Sequence, residues 1–162
     1  MQASIIVEQL RAHDVTHVVG VPDNGSRGLY EALWADPEIE VIGVTREGEA
    51  CAVASGLYLG GAKPVVIIQN TGFLETGDAL RGTAYNMCVP LVMLIGYRGY
   101  MNFGSDRPDT AASFFQPTLQ AWDIPHTLLR GDDEAAGQIA DAFGTATETS
   151  RPAAVLLVDS TD

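Results

Sequence analysis

Continuous apolar runs rich in Val, Ile and Leu alternate along the chain with segments of helical spacing. Uninterrupted apolar runs are typical of parallel strands that are covered on both faces, because neither face meets water. The helical segments carry apolar residues three or four positions apart, as in Ile6 and Leu10. This alternation predicts an α/β fold, a doubly wound parallel sheet with helices on both faces. The six predicted strands are residues 16–20, 40–44, 64–68, 90–95, 124–128 and 153–158.

Length and charge narrow the class of protein. The chain has 162 residues without an internal repeat or linker, so residues 1–162 are expected to form one domain. Nine basic against 21 acidic residues give a net charge of −12. This charge disfavours nucleic acid and an anionic membrane surface as partners, since both attract basic patches. Glu8, Arg11 and Asp14 interrupt the apolar stretch that a secretory signal needs, which predicts a cytoplasmic protein.

The two cysteines and three histidines do not form a metal-ligand pattern. Cys51 and Cys88 both stand among apolar residues and are expected to be buried free thiols. No metal site is predicted within this chain.

Polar residues gather in the loops that follow the predicted strands. In a parallel sheet these loops share one edge, where ligands bind near a switch in strand order. Asp23 and Asn24 follow the first strand, and the amide and hydroxyl side chains of residues 69–71 follow the third. Such groups can bind a ligand, and they can equally satisfy the backbone of their own loop.

The segment after the second strand predicts a helix capped by Thr45, with Glu47 in its first turn. An acid at this position can simply complement the helix dipole. Ala50, Ala54 and Tyr58 share one face of the predicted helix. The small residues on this face are expected to let another body pack closely against it.

Four motifs occur in order along the chain. They are Gly20-Val21-Pro22, Glu47-x-x-Ala50 leading to Ala54-x-Gly56, Gln69-Asn70-Thr71-Gly72 and Val89-Pro90-Leu91-Val92. Together they resemble the pyrimidine-binding (PYR) domain of thiamine-diphosphate enzymes, and the resemblance runs from about residue 5 to the C-terminus. With Gly96-Tyr97-Arg98-Gly99 added, the sequence is most similar within that superfamily to the α subunit of sulfopyruvate decarboxylase and to phosphonopyruvate decarboxylase.

The resemblance implies roles for particular residues. Glu47 falls on the family's catalytic glutamate, which would share a proton with N1′ of the cofactor's aminopyrimidine ring. Asp23 and Asn24 fall where related decarboxylases place substrate-facing residues. Arg98 would bind a sulfonate or phosphonate, with a local ion pair to Asp106 or Asp109 as the alternative. The residues that would line the pyrimidine and the substrate side are Gly20, Val21, Pro22, Gln69, Asn70 and Thr71.

The resemblance also implies a partner. The Gly-Asp-Gly…Asn motif with which such enzymes hold Mg²⁺ and the diphosphate is absent from this chain. A separate diphosphate-binding β subunit, carrying the Mg²⁺, and a second copy of this chain are therefore expected. The implied activity is decarboxylation of a small 2-oxoacid, an anionic 3-substituted pyruvate such as sulfopyruvate or phosphonopyruvate. Two alternatives stay open, a thiamine-diphosphate carboligase subunit and a non-catalytic assembly subunit. Arg46 before Glu47, where many relatives have histidine, is a departure from the family pattern.

Overall fold

A computed structural model describes all 162 residues as one six-stranded parallel sheet with helices on both faces. The strands are β1 His17–Gly20, β2 Glu40–Gly43, β3 Pro64–Gln69, β4 Val92–Gly96, β5 His126–Leu129 and β6 Ala153–Leu157. The helices are α1 Ala3–Ala12, α2 Arg27–Trp34, α3 Glu47–Leu59, α4 Asn70–Glu75, α5 Gly77–Leu80, α6 Thr110–Ala121 and α7 Asp132–Thr149, with a π-helical turn at Arg81–Tyr85 and a 3₁₀ turn at Tyr100–Asn102.

The strand order across the sheet is β2-β1-β3-β4-β6-β5, and every neighbouring pair is parallel. The chain moves outward from β1 to β2 and then returns past β1 to β3, so the order reverses between β1 and β3. The carboxyl ends of the strands at such a reversal are the usual ligand position in an open parallel sheet. None of the helices combines the length and the apolar character needed for a membrane span.

The predicted α/β fold and all six strands are confirmed, with their ends displaced by at most two residues. Two helices were not predicted, α4 and α6. Helix α4 has only six residues and follows β3 without a loop, so it shows no helical period. Helix α6 does carry a signal, since Asp109 caps it by accepting the Ala111 N–H at 2.9 Å.

Two expectations about α3 are wrong. The N-cap residue is Arg46 rather than Thr45, and the Thr45 hydroxyl donates to Glu49 at 2.9 Å instead of capping the helix. Ala50 and Ala54 are fully buried in the core of their own chain, so that face is not open to another body. Small residues on this face let α3 pack closely against its own sheet, which the spacing alone could not distinguish from packing against a partner.

The two thiols differ in exposure, which corrects the expectation that both are buried. Cys51 is fully buried in α3, whereas Cys88 is exposed on a loop at φ +54°. Burial, and secondarily the charge of Glu75, raises the pKa of the Cys51 thiol to about 12. A thiol reagent must reach the sulfur atom, and in the folded chain only Cys88 is accessible.

We therefore expect a colorimetric disulfide reagent at pH 8 to titrate one thiol rapidly in the native chain and both thiols in denaturant. The Cys88→Ser variant should show no rapid phase. Two rapid thiols in the native protein would contradict the burial of Cys51.

Candidate active site

A cleft of about 460 Å³ opens at the carboxyl edge of the sheet, over the ends of β1, β3, β4 and β6. It brings together four residues that sequence analysis had named separately, Asp23, Asn24, Gln69 and Arg98. Tyr97, Tyr100 and Met101 add aromatic and apolar surface. The remaining lining residues are Gly25, Ser26, Gly96, Gly99, Asn102, Leu157, Val158, Asp159 and Ser160.

The loop after β1 is built by Asp23. Its Oδ1 accepts the N–H groups of Gly25 at 2.6 Å and Ser26 at 2.9 Å, an arrangement that holds a tight turn. Asp23 therefore shapes the wall of the cleft, while Asn24 is exposed on the same turn.

The preceding residues of this loop, Gly20, Val21 and Pro22, lie outside the lining of the cleft. Gly20 is buried at the end of β1, where a Cβ would overlap with the Ile67 carbonyl and the Tyr30 hydroxyl. These contacts within the chain are sufficient to explain why residue 20 is a glycine. Val21 is half-buried and Pro22 is exposed.

The three side chains of the Gln69-Asn70-Thr71 motif lie in different environments. Gln69 is half-buried and lines the cleft, and Thr71 is exposed. Asn70 is fully buried: its Nδ2 donates to the Arg98 carbonyl at 2.9 Å and its Oδ1 accepts the Thr71 N–H at 3.0 Å. The Asn70 amide thus joins the start of α4 to the loop after β4.

Arg98 makes the local ion pair that sequence analysis held open. Its Nε donates to Asp109 Oδ2 at 3.1 Å, and Asp109 is itself fixed by the Ala111 N–H. The Arg98 side chain is 66% exposed, and no group of the chain accepts a hydrogen bond from its two Nη atoms. Asp109 therefore orients a guanidinium whose outer N–H groups remain available to a ligand.

Glu47 is the first residue of α3, at the same edge of the sheet. The residue is half-buried. The carboxylates of Glu49 and Glu75 accept the hydrogen bonds of this turn, and none is donated to Glu47. Gly72 lies directly against the Glu47 side chain, because a Cβ at position 72 would overlap with its Cγ, Cδ and Oε1.

The buried hydroxyl of Tyr30 interacts electrostatically with Glu47 and with Asp23, which lines the cleft. Burial is the main cause that raises the pKa of Tyr30, and the charges of Asp23 and Glu47 raise it further. Its hydroxyl donates to the Ile67 carbonyl at 2.8 Å, beneath the end of β3. Both carboxylates are therefore within electrostatic reach of one buried hydroxyl, although Glu47 does not itself line the cleft.

Sequence reasoning missed Glu75, besides cleft residues such as Tyr100, Asp159 and Ser160. Glu75, at the end of α4, accepts the Gly48 N–H at 2.8 Å and pairs with Arg46. Gly48 and Glu75 are 27 residues apart in the chain, so no local sequence pattern predicts their contact. It also gives Arg46, the departure from the family pattern, a partner within the chain.

Comparison with known proteins decides the family. The profile of the family described as "Thiamine pyrophosphate enzyme, N-terminal TPP binding domain" matches residues 2–124. The chain belongs to this thiamine pyrophosphate enzyme family. The match covers more than half of the chain and includes β1 to β4, Glu47 and Gly72.

Similar proteins include two of nearly the same length as this chain. The chain is 29% identical to sulfopyruvate decarboxylase subunit alpha of Methanococcus maripaludis, over 88% of this chain and 86% of that protein. It is 27% identical to the protein of the same name from Methanothermobacter thermautotrophicus, over 88% of this chain and 87% of that protein. It is also 35% identical to phosphonopyruvate decarboxylase of Streptomyces viridochromogenes, over 60% of this chain but only 24% of that longer protein.

The residues present fit the aminopyrimidine end of the family's cofactor. A half-buried glutamate whose carboxylate has no partner in the chain can share a proton with a ring nitrogen. The missing Cβ of Gly72 leaves room for the Glu47 side chain to lie against α4. The cleft at the same edge of the sheet supplies polar groups from the ends of four strands, β1, β3, β4 and β6.

Proposed function

We propose that this chain is the pyrimidine-binding subunit, a single PYR-type domain, of a heteromeric thiamine-diphosphate-dependent decarboxylase. Its substrate is an anionic 3-substituted pyruvate, with sulfopyruvate and phosphonopyruvate as the favoured candidates. The observation that carries the proposal is Glu47, a half-buried residue whose carboxylate makes no hydrogen bond within the chain and whose side chain lies against Gly72. The names of the similar proteins support the reaction class and the substrate class.

Glu47 is proposed as the catalytic residue of this chain. Its carboxyl group would hold a proton at N1′ of the aminopyrimidine ring and return it during the cycle. When bound, thiamine diphosphate supplies the carbon nucleophile and takes up the electron pair that decarboxylation releases. The protein contributes the position of the proton.

The other proposed contacts follow from the placement of the residues. Gln69 offers an amide to the cofactor or the substrate at the cleft. Backbone groups of Gly20, Val21 and Pro22, together with Thr71, are proposed to line the pyrimidine side. Asn70 is proposed to act through its buried hydrogen bonds, which fix the backbone there.

Substrate selection is assigned to the polar part of the cleft. Asp23 and Asn24 are proposed to border the substrate, and the outer N–H groups of Arg98 to bind its sulfonate or phosphonate. An anion needs such a local cation, because the chain as a whole carries a charge of −12.

A separately encoded β subunit is proposed to hold the diphosphate and Mg²⁺. Two similar proteins are named as alpha subunits and match this chain along nearly their whole length. The similar phosphonopyruvate decarboxylase is much longer, since the match covers 60% of this chain but only 24% of that protein. An assembly with a second copy of this chain at its centre is part of the same proposal.

Reconstitution tests the function. The chain is co-purified with the β subunit, supplied with thiamine diphosphate and Mg²⁺, and assayed for carbon dioxide release from sulfopyruvate, phosphonopyruvate and pyruvate. We expect turnover only with both subunits, and preferentially with sulfopyruvate or phosphonopyruvate, which carry a second anionic group that pyruvate lacks. Condensed products instead of aldehyde would favour a carboligase, and cofactor binding without turnover of any 2-oxoacid would favour an assembly subunit.

The substrate role of Arg98 has its own prediction. In Arg98→Ala, kcat/KM for the sulfonate or phosphonate substrate should fall by about 30- to 100-fold, the equivalent of about 2–3 kcal/mol for a charge-assisted contact. For pyruvate it should change by less than about threefold, since pyruvate lacks the second anion. The matched control is Arg81→Ala, which removes an exposed arginine paired with Asp78. Equal losses for all substrates would contradict the anion role and leave Arg98 as a structural partner of Asp109.

A further inference from the structure

The two residues that flank Glu47 are both held by one carboxylate. Glu75 Oε2 accepts the Gly48 N–H at 2.8 Å, and Glu75 Oε1 pairs with the Arg46 guanidinium. Glu47 therefore lies between two points that are fixed from the neighbouring helix α4.

The first turn of α3 depends on this external acceptor. The first N–H groups of a helix have no partner in the helix, and the N-cap residue Arg46 offers no side-chain acceptor. Glu75 supplies the acceptor across the helix pair, and its charge is favourable at a helix N-terminus. Without it, the Gly48 N–H would have no acceptor in the chain, and residues 46–48 would lose this restraint from α4.

Helix α4 is a firm support for Glu75. Its first residue, Asn70, is buried and bonded to the Arg98 carbonyl, and Phe73 packs edge-on against Phe115 at 5.4 Å. The Thr76 hydroxyl closes its end by donating to the Phe73 carbonyl at 2.8 Å. The same helix presents Gly72 to the Glu47 side chain, so α4 sets both the backbone and the side chain of Glu47.

We propose that Glu75 is a positioning residue that holds residues 46–48, and through them the Glu47 carboxylate, in the orientation that the reaction requires. The proposal rests on the proposed function of Glu47. Glu75 acts through the hydrogen bond to Gly48. A carboxyl group displaced by about 1 Å can lose about a hundredfold in rate, so a small loosening of this turn has a large effect on catalysis.

The test compares Glu75→Ala with Glu75→Gln in the reconstituted complex. Glu75→Ala removes the acceptor, and we expect kcat to fall by about 10- to 100-fold while KM and the dissociation constant of the cofactor change by less than about threefold. Glu75→Gln keeps an amide oxygen for the Gly48 N–H and should restore kcat to within about threefold of the wild type. Hydrogen exchange at the first-turn amides of α3 should accelerate in the Ala variant and much less in the Gln variant. Asp78→Asn is the matched control, because it removes an exposed carboxylate three residues further along the chain whose partner is Arg81 rather than a residue of the α3 first turn.

Three results would overturn the proposal: unchanged kcat in Glu75→Ala, unchanged exchange at the first turn of α3, or a loss in Glu75→Gln as large as in Glu75→Ala. The exchange measurement needs no turnover, so it remains decisive for a variant of low activity. Glu47→Gln separates the two claims. If Glu47→Gln abolishes turnover while Glu75→Ala is fully active, only the positioning role fails; if Glu47→Gln is active, the proposed function fails.

Discussion

Glu47→Gln is expected to lower kcat of the reconstituted enzyme by about 10²- to 10⁴-fold, the usual contribution of a general acid–base group. The amide has nearly the same shape as the carboxyl group but cannot give up or receive a proton at the ring nitrogen. The measurement is the initial rate at saturating substrate and cofactor, with cofactor occupancy determined separately.

Stability should hardly change in this variant. Glu47 makes no hydrogen bond or ion pair within the chain, so its free energy of unfolding should stay within about 0.5 kcal/mol of the wild-type value. The control is Glu49→Gln, two residues further along in the same turn. Glu49 is exposed, and hydrogen bonds from the Thr45 N–H and hydroxyl lower its pKa. Retention of more than a tenth of the activity in Glu47→Gln would contradict the catalytic role.

Gly72→Ala should be the second most damaging change, although it adds only one methyl group. The new Cβ would overlap with the Glu47 Cγ, Cδ and Oε1, so the carboxylate must rotate away from α4. Displacement of a catalytic group by about 1 Å can cost about 10²-fold in rate, and we expect a loss of kcat of that order.

The effect on folding should be much smaller than the effect on rate. Gly72 lies in a helix, where alanine is intrinsically favoured by about 1 kcal/mol, and the half-buried Glu47 side chain can move outward. Thermal unfolding and kcat measured on the same preparation separate the two effects. The control is Gly137→Ala in α7, where a Cβ would meet nothing within 4 Å. Full activity in Gly72→Ala would mean that Glu47 does not work from the position seen here.

The local sequence pattern was sufficient to predict the strands of the sheet and to select the residues that directly follow them. Apolar runs placed all six strands, and the shared edge of a parallel sheet explains why Asp23, Asn24, Gln69 and Arg98 meet in one cleft. The side chains of Asn70 and Gly20 were less predictable, because their surroundings depend on the fold. Asn70 is buried against a carbonyl 28 residues away, and Gly20 is packed under Tyr30 and Ile67.

Contacts between helices lay beyond local pattern. Helix α4 is too short to show a period, so neither Gly72 against Glu47 nor Glu75 on Gly48 could be seen in the sequence. The buried face of Ala50 and Ala54 was wrongly expected to be open, because small residues pack against a sheet or a partner equally well. The contacts between α3 and α4 determine how Glu47 is held, and they can be predicted only once the arrangement of the helices is known.

Deuterium exchange at the thiazolium C2 position of the bound cofactor tests the role of Glu47 most directly. A proton shared between Glu47 and N1′ would favour the imino form of the aminopyrimidine, which could then take the C2 proton, and the exchange requires no substrate. The complex is mixed with D₂O, quenched in acid at short times, and the remaining C2 proton is measured by NMR. We predict rapid exchange in the wild-type complex and exchange slower by about 10²-fold or more in the Glu47→Gln complex at equal cofactor occupancy. Equal exchange rates in the two complexes would contradict the assignment of Glu47 as the residue that delivers the proton chemistry of this site.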